Sequence, residues 1–345
     1  MPTRAKRLVR IGLGLIAFVV ILLVATTIYG AVATANELAR FRPPGRLVDV
    51  GGYRLHLRCE GQGSPTVVLE SGGGMTSNEW TLVQPDVAKF TRVCSYDRAG
   101  LGWSESGPPS DTIEVLHRLL RNGEVPGPYA IVGHSYGSGL VLRFAYRFPN
   151  EVKGMVLTAA SYPDEEVHRI AAEVTAQSKS YSQIYVWSTR SGLLRITPES
   201  YLPEMLRTYF GLLRRYLPPK AAESEIAFLH QLRHVQSFMM ESGHPTREGE
   251  LEEVAACTRG FGDMPLVVLS ERWVYSSPVD EQEKQAARRE DERQTRLAGL
   301  STRGQKIDLD SGHLIPLENA SAVVDAIKHV VLSARSSQQA ELRLP

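Results

Sequence analysis

Short apolar runs alternate with amphipathic segments along most of the chain after residue 45. Apolar runs of about four to eight residues between turn residues are typical of strands that are buried on both faces of a sheet. The segments between them carry apolar residues at helical spacing, for example at 113–121 and 138–148. This alternation predicts an α/β fold with a mostly parallel central sheet and helices on both faces. The predicted strands are TVVLES (66–71), RVCSYD (92–97), YAIVG (129–133), GMVLTAA (154–160), MPLVVLS (264–270) and QKIDLD (305–310).

Two segments depart from this alternation. Arg46–Val50 and Tyr53–Glu60 flank two glycines, which predicts a β-hairpin at the start of the sheet. From 164 to 261 the sequence is helix-like and has no convincing strand, so we predict a helical cap inserted between two strands of the sheet. The predicted division is a first core part at 42–160, a cap at 161–262, a second core part at 263–335 and a loose polar tail at 336–345.

The N-terminal segment has a different pattern. No charged residue occurs from Ile11 to Ala35, and basic residues precede this stretch. Its most apolar part, residues 11–28, is long enough to cross a bilayer as a helix. We therefore predict a single-pass membrane anchor at 1–41, with the N-terminus in the cytoplasm and the rest of the chain outside it. Small residues at 31, 33 and 35 would also suit a signal peptidase, so a protein secreted after signal cleavage is the alternative.

Composition and charge exclude several classes of function. Hydrophobic residues make up 43% of the 345 residues and charged residues 22%, as in an ordinary globular protein. The net charge of +1 gives no reason to expect a nucleic-acid partner. The sequence contains no Cys-x-x-Cys pair, His-rich cluster or glycine-rich nucleotide motif, so we predict neither a metal nor a cofactor. It does not indicate an oligomeric state.

The chain has three cysteines. Cys59 and Cys94 lie in strand-like segments, and they would form a disulfide in an oxidising compartment if those strands are neighbours. Two buried free thiols are the alternative interpretation. Cys257 is single on either interpretation.

The most informative motif is Gly133-His134-Ser135-Tyr136-Gly137. Gly-x-Ser-x-Gly indicates a nucleophile only between a strand and a helix, where the glycines allow a sharp turn that raises the serine hydroxyl above the sheet edge. A predicted strand precedes the motif and a predicted helix follows it, so Ser135 is the candidate nucleophile. The side chain of His134 should point away from the site at such a turn.

A serine hydroxyl needs a base and, for acyl transfer, donors for the oxyanion. His313 follows the last predicted strand in a glycine-containing loop, at the sheet edge where we expect Ser135, and is the candidate base. The candidate oxyanion donors are the backbone N–H groups of Tyr136 and Gly73, with Gly74 as the next choice after Gly73. The two glycines belong to the segment SGGGM (71–75).

From about Gly45 to Val331 the chain resembles the α/β-hydrolase family, in particular bacterial capped serine hydrolases. The motifs LESGGG, YDRAGLGWS, GHSYG and SGHLIPLE occur in the family's order. The resemblance implies a hydrolase whose serine is acylated during turnover. Dehalogenases and epoxide hydrolases of this scaffold use aspartate where this chain has Ser135, so we expect neither activity.

The family pattern also requires an acid between the serine and the histidine. The two positions where the family carries it fall at Ala159 and near Trp273 or Val274, which are not acidic. The substitutes are Glu271, Asp164 and Asp280, in that order of preference. A Ser–His dyad without an acid is the remaining possibility.

These features predict a membrane-anchored serine hydrolase that cleaves a carboxylic ester, or a related acyl bond, of a small lipophilic substrate. An amidase or peptidase would use the same acyl-enzyme and is the first alternative. A binding module on a hydrolase scaffold, weakened by the missing acid, is the second.

Overall fold

An eight-stranded sheet forms the centre of the molecule. The computed structural model describes residues 2–160, 182–243, 253, 256–271 and 281–341. In space the strands follow the order β1-β2-β4-β3-β5-β6-β7-β8. Their bounds are β1 (Arg46–Asp49), β2 (Arg54–Glu60), β3 (Thr66–Glu70), β4 (Val93–Tyr96), β5 (Tyr129–His134), β6 (Val152–Thr158), β7 (Leu266–Glu271) and β8 (Gly304–Leu309).

The strand directions agree with the fold class predicted from the sequence. The β1–β2 and β2–β4 pairs are antiparallel, and the remaining pairs are parallel. Every residue of β3, β4 and β5 is buried, as expected for strands covered on both faces. Because parallel strands share a direction, the loops that follow β3, β5, β7 and β8 leave the sheet at one edge.

Helices cover both faces of the sheet. Buried side chains of α3, α4 and α10 pack on one face, and those of α2, α11 and α12 pack on the other. The helices are α1 (Pro2–Arg40), α2 (Gln84–Val87), α3 (Thr112–Asn122), α4 (Tyr136–Arg147), α5 (182–190), α6 (Leu193–Ile196), α7 (Glu204–Tyr216), α8 (Pro219–Phe228), α9 (Leu232–Gly243), α10 (Glu281–Ala298), α11 (Ile315–Glu318) and α12 (Ala320–Glu341), with 3-10 turns at Ser77–Trp80 and Glu199–Tyr201.

The prediction of a loose tail from residue 336 is wrong up to residue 341, because α12 continues to Glu341. The Ser336 and Ser337 hydroxyls donate to backbone carbonyls four residues earlier, and Arg303 donates to Ser337 Oγ at 2.9 Å. The glutamine, alanine and glutamate that follow are good helix formers. The polar composition of this segment therefore marks an exposed helical end.

The antiparallel register of β2 and β4 decides between the two interpretations of the cysteines. Cys59 lies directly opposite Cys94, and the two form a disulfide. Cys257 is free and buried, and burial raises the pKa of its thiol to about 12.

The described residues between β6 and β7 are mainly helical, and we call helices α5 to α9 the cap. They contribute most of an apolar cluster that is separate from those on the two faces of the sheet. Phe210 and Leu213 of α7 lie in this cluster together with Met75, Leu314 and Leu317 of the sheet domain. The helices therefore pack on the loops that follow β3 and β8. The domain boundaries assigned from the sequence stay a prediction.

A buried carboxyl also joins the cap to the sheet domain. Glu225 of α8 accepts hydrogen bonds from the Thr76 backbone N–H at 3.2 Å and from Asn78 Nδ2 at 3.0 Å, and it contacts the Thr76 hydroxyl. Burial raises the pKa of Glu225 to about 7 despite these donors. The neutral acid is therefore favoured when the cap is docked.

We expect the stability contributed by Glu225 to be fully present below its unfolded pKa of 4.5 and to be lost as the pH rises through about 7. The shift corresponds to about 3 kcal/mol. Relative to Glu225→Gln, the wild type should therefore lose unfolding free energy between pH 5 and pH 8. Thermal and denaturant unfolding of both proteins in detergent at the two pH values measures this difference.

Other groups change the unfolding free energy with pH in the opposite direction, and their contributions cancel when the wild type is compared with Glu225→Gln. One of these is His234, whose pKa is lowered to about 4 by burial. The matched control is Glu223→Gln, an exposed carboxyl on the same helix, which should keep the wild-type pH dependence. An unchanged pH dependence in Glu225→Gln would contradict the assignment.

Candidate active site

Ser135 forms a tight turn between β5, which ends at His134, and α4, which begins at Tyr136. Its backbone angles are φ +50° and ψ −118°, a conformation that residues other than glycine rarely adopt. The Ser135 N–H donates to the Thr158 carbonyl on β6 at 2.9 Å, which fixes the turn against the neighbouring strand. The hydroxyl is consequently presented at the carboxyl edge of the sheet.

Packing explains the two glycines around Ser135. A Cβ on Gly133 would lie 2.6 Å from the Ser138 Cα, and one on Gly137 would lie 2.6 Å from the carbonyl oxygens of Glu70 and Ser71. Real Cβ atoms do not approach backbone this closely. Any larger residue at either position would force α4 away from β3 and β5.

The structure brings Ser135, His313 and Glu271 together in one hydrogen-bonded chain. His313 Nε2 lies 2.9 Å from Ser135 Oγ, and His313 Nδ1 lies 3.1 Å from Glu271 Oε1. Glu271 is the last residue of β7, and His313 lies in the loop after the adjacent strand β8. The Gly312 N–H donates to Glu318 Oε2 at 2.6 Å, which holds the loop that carries the imidazole.

Ala159 is the one other candidate position for the acid that the structure describes. Ala159 is buried and has φ +46°, so a methyl group occupies the first family position. Asp164, Asp280, Trp273 and Val274 all lie outside the described residues. Among the residues that the structure describes, Glu271 is the carboxylate bonded to His313.

Sequence reasoning did not identify the support that His134 gives to His313. The His134 ring is buried, and its Nε2 donates to the His313 carbonyl at 2.8 Å while its Nδ1 pairs with Glu79. Burial by itself would lower the pKa of His134, but the charge and hydrogen bond of Glu79 raise it, and the net direction is upward. An imidazolium is therefore favoured there, since both ring nitrogens then donate. The sequence gives little indication of this role, because His134 stands inside the serine motif and nothing around it points to a contact with His313.

The glycine loop after β3 lies beside the first turn of α4. The Gly72 N–H donates to Glu79 Oε2 at 2.9 Å, and the Gly74 N–H donates to Glu241 Oε2 at 2.8 Å. The Gly73 N–H has no hydrogen-bond partner among the described residues. A Cβ on Gly73 would lie 3.5 Å from the Tyr136 Cβ, so the two candidate donor residues are in contact range.

Arg98, from the YDRAGLGWS motif, is hydrogen-bonded to the carbonyls of this glycine loop. Its guanidinium is almost fully buried and donates to the carbonyls of Ser71 and Gly72 at 2.7 and 2.6 Å. It also donates to Glu70 Oε1 and Glu241 Oε1, each at 2.6 Å. Burial would lower the pKa of Arg98, but the two carboxylates raise it, so the guanidinium stays charged. Since Glu241 belongs to α9, the cap contributes directly to the geometry of the loop.

Comparisons with known proteins agree with this architecture. A family model described as the alpha/beta hydrolase fold matches residues 65–184. The uncharacterized protein YbdG of Bacillus subtilis (strain 168) is 27% identical over 219 residues, which cover 61% of this chain and 66% of that protein. The 2-hydroxymuconate semialdehyde hydrolase of Pseudomonas sp. (strain CF600) is 34% identical over 125 residues, which cover 34% of this chain and 44% of that protein.

A solved structure extends the likeness to most of the chain. A putative lipase of Acinetobacter baumannii AYE aligns with a TM-score of 0.60 at 17% identity, covering 89% of this chain and 97% of that one. The sequence matches span less than two thirds of the two curated relatives, and an identity of 17% concerns the fold alone. The sheet order, the family model and this structural likeness together show that the chain has the α/β-hydrolase fold.

Proposed function

We propose that the protein is a membrane-anchored serine hydrolase that cleaves a carboxylic ester, or a related acyl bond, through an acyl-enzyme on Ser135. The observation that carries this proposal is the hydrogen-bonded chain from Ser135 through His313 to Glu271. A hydroxyl, an imidazole and a carboxylate in that sequence are the parts that acyl transfer by serine requires.

In the proposed mechanism His313 Nε2 accepts the Ser135 proton while Oγ attacks the substrate carbonyl carbon. The Glu271 carboxylate accepts a hydrogen bond from His313 Nδ1–H and stabilises the imidazolium. When the tetrahedral intermediate collapses, the bond to the alkoxy oxygen breaks and His313 returns its proton to the leaving alcohol. Water, deprotonated by His313, then attacks the acyl carbon; the bond to Ser135 Oγ breaks, His313 returns the proton to Oγ, and the carboxylic acid is released.

The oxyanion of the tetrahedral intermediate would be bound by the backbone N–H groups of Tyr136 and Gly73. Tyr136 opens α4, whose N-terminal dipole favours negative charge. Gly73 suits this role better than Gly74, because the Gly74 N–H already donates to Glu241. The buried Arg98 guanidinium holds the carbonyls of Ser71 and Gly72, which restricts the backbone conformation of the glycine loop.

Membrane anchoring is supported by α1. The helix Lys6–Arg40 is long and apolar enough to cross a membrane, as a signal sequence also is. Arg195 in the cap is nearly buried and pairs with Glu37 of α1. Signal cleavage after Ala35 would keep Glu37, whereas removal of the whole helix would take this carboxylate away from Arg195. The Cys59–Cys94 disulfide favours an oxidising, extracytoplasmic compartment for the rest of the chain.

A small lipophilic ester is the proposed substrate class. The apolar cluster of the cap includes Met75, directly after the glycine loop, and Leu314, directly after His313. The apolar α1 would hold the protein where such esters accumulate.

The first test is covalent labelling of the full chain in detergent with a fluorophosphonate. We expect labelling of the wild type and its loss in Ser135→Ala, because the probe reacts only with an activated serine hydroxyl. Hydrolysis of p-nitrophenyl esters of graded chain length should disappear in the same variant. Folded wild-type protein that takes no label would favour a binding module, and faster cleavage of matched anilides than of esters would favour an amidase.

The second test concerns the acid. We expect Glu271→Gln to lower kcat by up to about 10⁴-fold, since an amide cannot hold the required His313 tautomer. Asp164→Asn and Asp280→Asn are the matched controls and should retain kcat. Activity that survives in Glu271→Gln but falls in one of these controls would move the role of the acid to that aspartate.

The third test concerns Glu241, which we interpret as a positioning residue for the glycine loop. We expect Glu241→Gln to lower kcat by about 10- to 100-fold, less than the roughly 10²- to 10³-fold effect of deleting an oxyanion donor. KM should change little, because the oxyanion forms only in the transition state. Glu199→Gln, which removes an exposed cap carboxylate paired with Arg214, should leave both constants unchanged. A rise in KM at constant kcat would assign Glu241 to substrate binding.

A further inference from the structure

Four large apolar side chains of the cap are exposed in the segments that precede and follow its contact with α1. Ile184 and Trp187 are 63% and 55% exposed and lie three residues apart on α5, hence on one face of that helix. Ile196 at the end of α6 and Tyr201 at the end of a 3-10 turn are 49% and 81% exposed. We call these four residues the cap apolar patch.

The segment between α5 and α6 contacts α1 through glycines. A Cβ on Gly30 would lie 3.1 Å from the Gly192 Cα, and a Cβ on Gly192 would lie 2.0 Å from the Thr26 carbonyl oxygen. The Thr27 hydroxyl oxygen also lies 3.4 Å from the Ser191 carbonyl oxygen. Small residues permit this close backbone approach, as they do between helices in membranes. The four residues of the cap apolar patch all lie within nine positions of Gly192, on either side of this contact with residues 26–30 of α1.

A nearly buried ion pair fixes the height of the cap along α1. Arg195 donates to both carboxylate oxygens of Glu37 at 2.6 and 2.7 Å and to the Thr34 hydroxyl at 2.9 Å. A bidentate guanidinium–carboxylate pair restricts sliding as well as rotation. The position of α1 in a bilayer would consequently set the position of the cap.

The length of α1 gives that position. Its uncharged stretch begins at Ile11, directly after Arg10. A helix crosses the hydrocarbon core of a bilayer in about 20 residues. If α1 enters the hydrocarbon at residue 11, it therefore leaves it near residue 30. Gly192 contacts that turn, which places the cap apolar patch at the level of the lipid headgroups. Tryptophan and tyrosine are enriched at this level because each combines an apolar ring with a polar group.

We propose that the cap apolar patch is a second membrane-contact surface, which inserts into the boundary between headgroups and acyl chains of the leaflet where α1 emerges. The occupant is the phospholipid bilayer itself. Insertion removes four exposed apolar side chains from water, as in other proteins that lie on a membrane interface. This inference rests on the proposed crossing of the membrane by α1 and not on the proposed chemistry.

The test uses the full chain in liposomes of phosphatidylcholine brominated at carbons 6 and 7 of one acyl chain. The emission of Trp187 is obtained by subtracting the spectrum of Trp187→Phe from that of the wild type, which removes the other tryptophans. We expect brominated lipid to reduce this emission at least twofold relative to unbrominated lipid, and aqueous iodide to have little effect on it. The matched control is Ile307→Trp in the Trp187→Phe background, because Ile307 is 40% exposed on β8, the edge strand opposite β1, the strand that follows α1. Its added emission should respond to iodide and not to bromine.

Two results would overturn the proposal. Quenching of Trp187 by iodide but not by brominated lipid would place the patch in water, and protection from both would mean that protein, such as a second copy of the chain, covers it. Alkaline carbonate washing of the same liposomes separates this failure from failure of the anchor. Chain that resists washing without lipid quenching refutes the second contact only, whereas chain released by washing refutes the membrane crossing as well.

Discussion

The site depends on one backbone constraint, the turn at Ser135. A serine with φ +50° is held in a conformation that costs about 1 to 3 kcal/mol. The surrounding structure supplies this energy through the burial of β5 and the close packing that Gly133 and Gly137 permit. If the turn relaxed, Oγ would no longer face His313 Nε2, and the proposed nucleophile would lack its base. The strain is thus inseparable from the placement of the hydroxyl.

The parallel sheet supplies the rest of the geometry. Strands β3, β5, β7 and β8 end at one edge, so residues far apart in sequence meet there. Ser135 and His313 are separated by 178 positions and still share a hydrogen bond. The direct pairing of β7 with β8 brings Glu271 beside the loop of His313. Strand order, more than any local motif, determines which side chains meet.

The sequence predicted the parts of the site that local pattern encodes. Apolar runs located the strands, and the glycines around Ser135 located the turn. The acid could not be resolved, because the family positions fall at Ala159 and near Trp273, whereas Glu271 lies at the strand end itself and reaches His313 with its longer side chain. The contact of His134 with His313 was missed because it joins residues 179 positions apart. The spacing of apolar and polar residues predicts local structure and does not indicate which distant residues meet.

Buried charges connect the cap to both of its neighbours. Burying an ion pair rarely stabilises a fold compared with apolar packing, but breaking one is costly, so such pairs fix an arrangement more than they strengthen it. Arg98 joins Glu70 of the sheet to Glu241 of the cap, and Glu241 also holds the Gly74 N–H. On the other side of the cap, Arg195 pairs with Glu37 of α1. The apolar helix, the cap and the glycine loop are therefore linked by specific polar contacts, and displacement of the cap would break a largely buried ion pair at one end or the other. A cap held in this way fixes the site relative to α1, and hence relative to any membrane that α1 crosses.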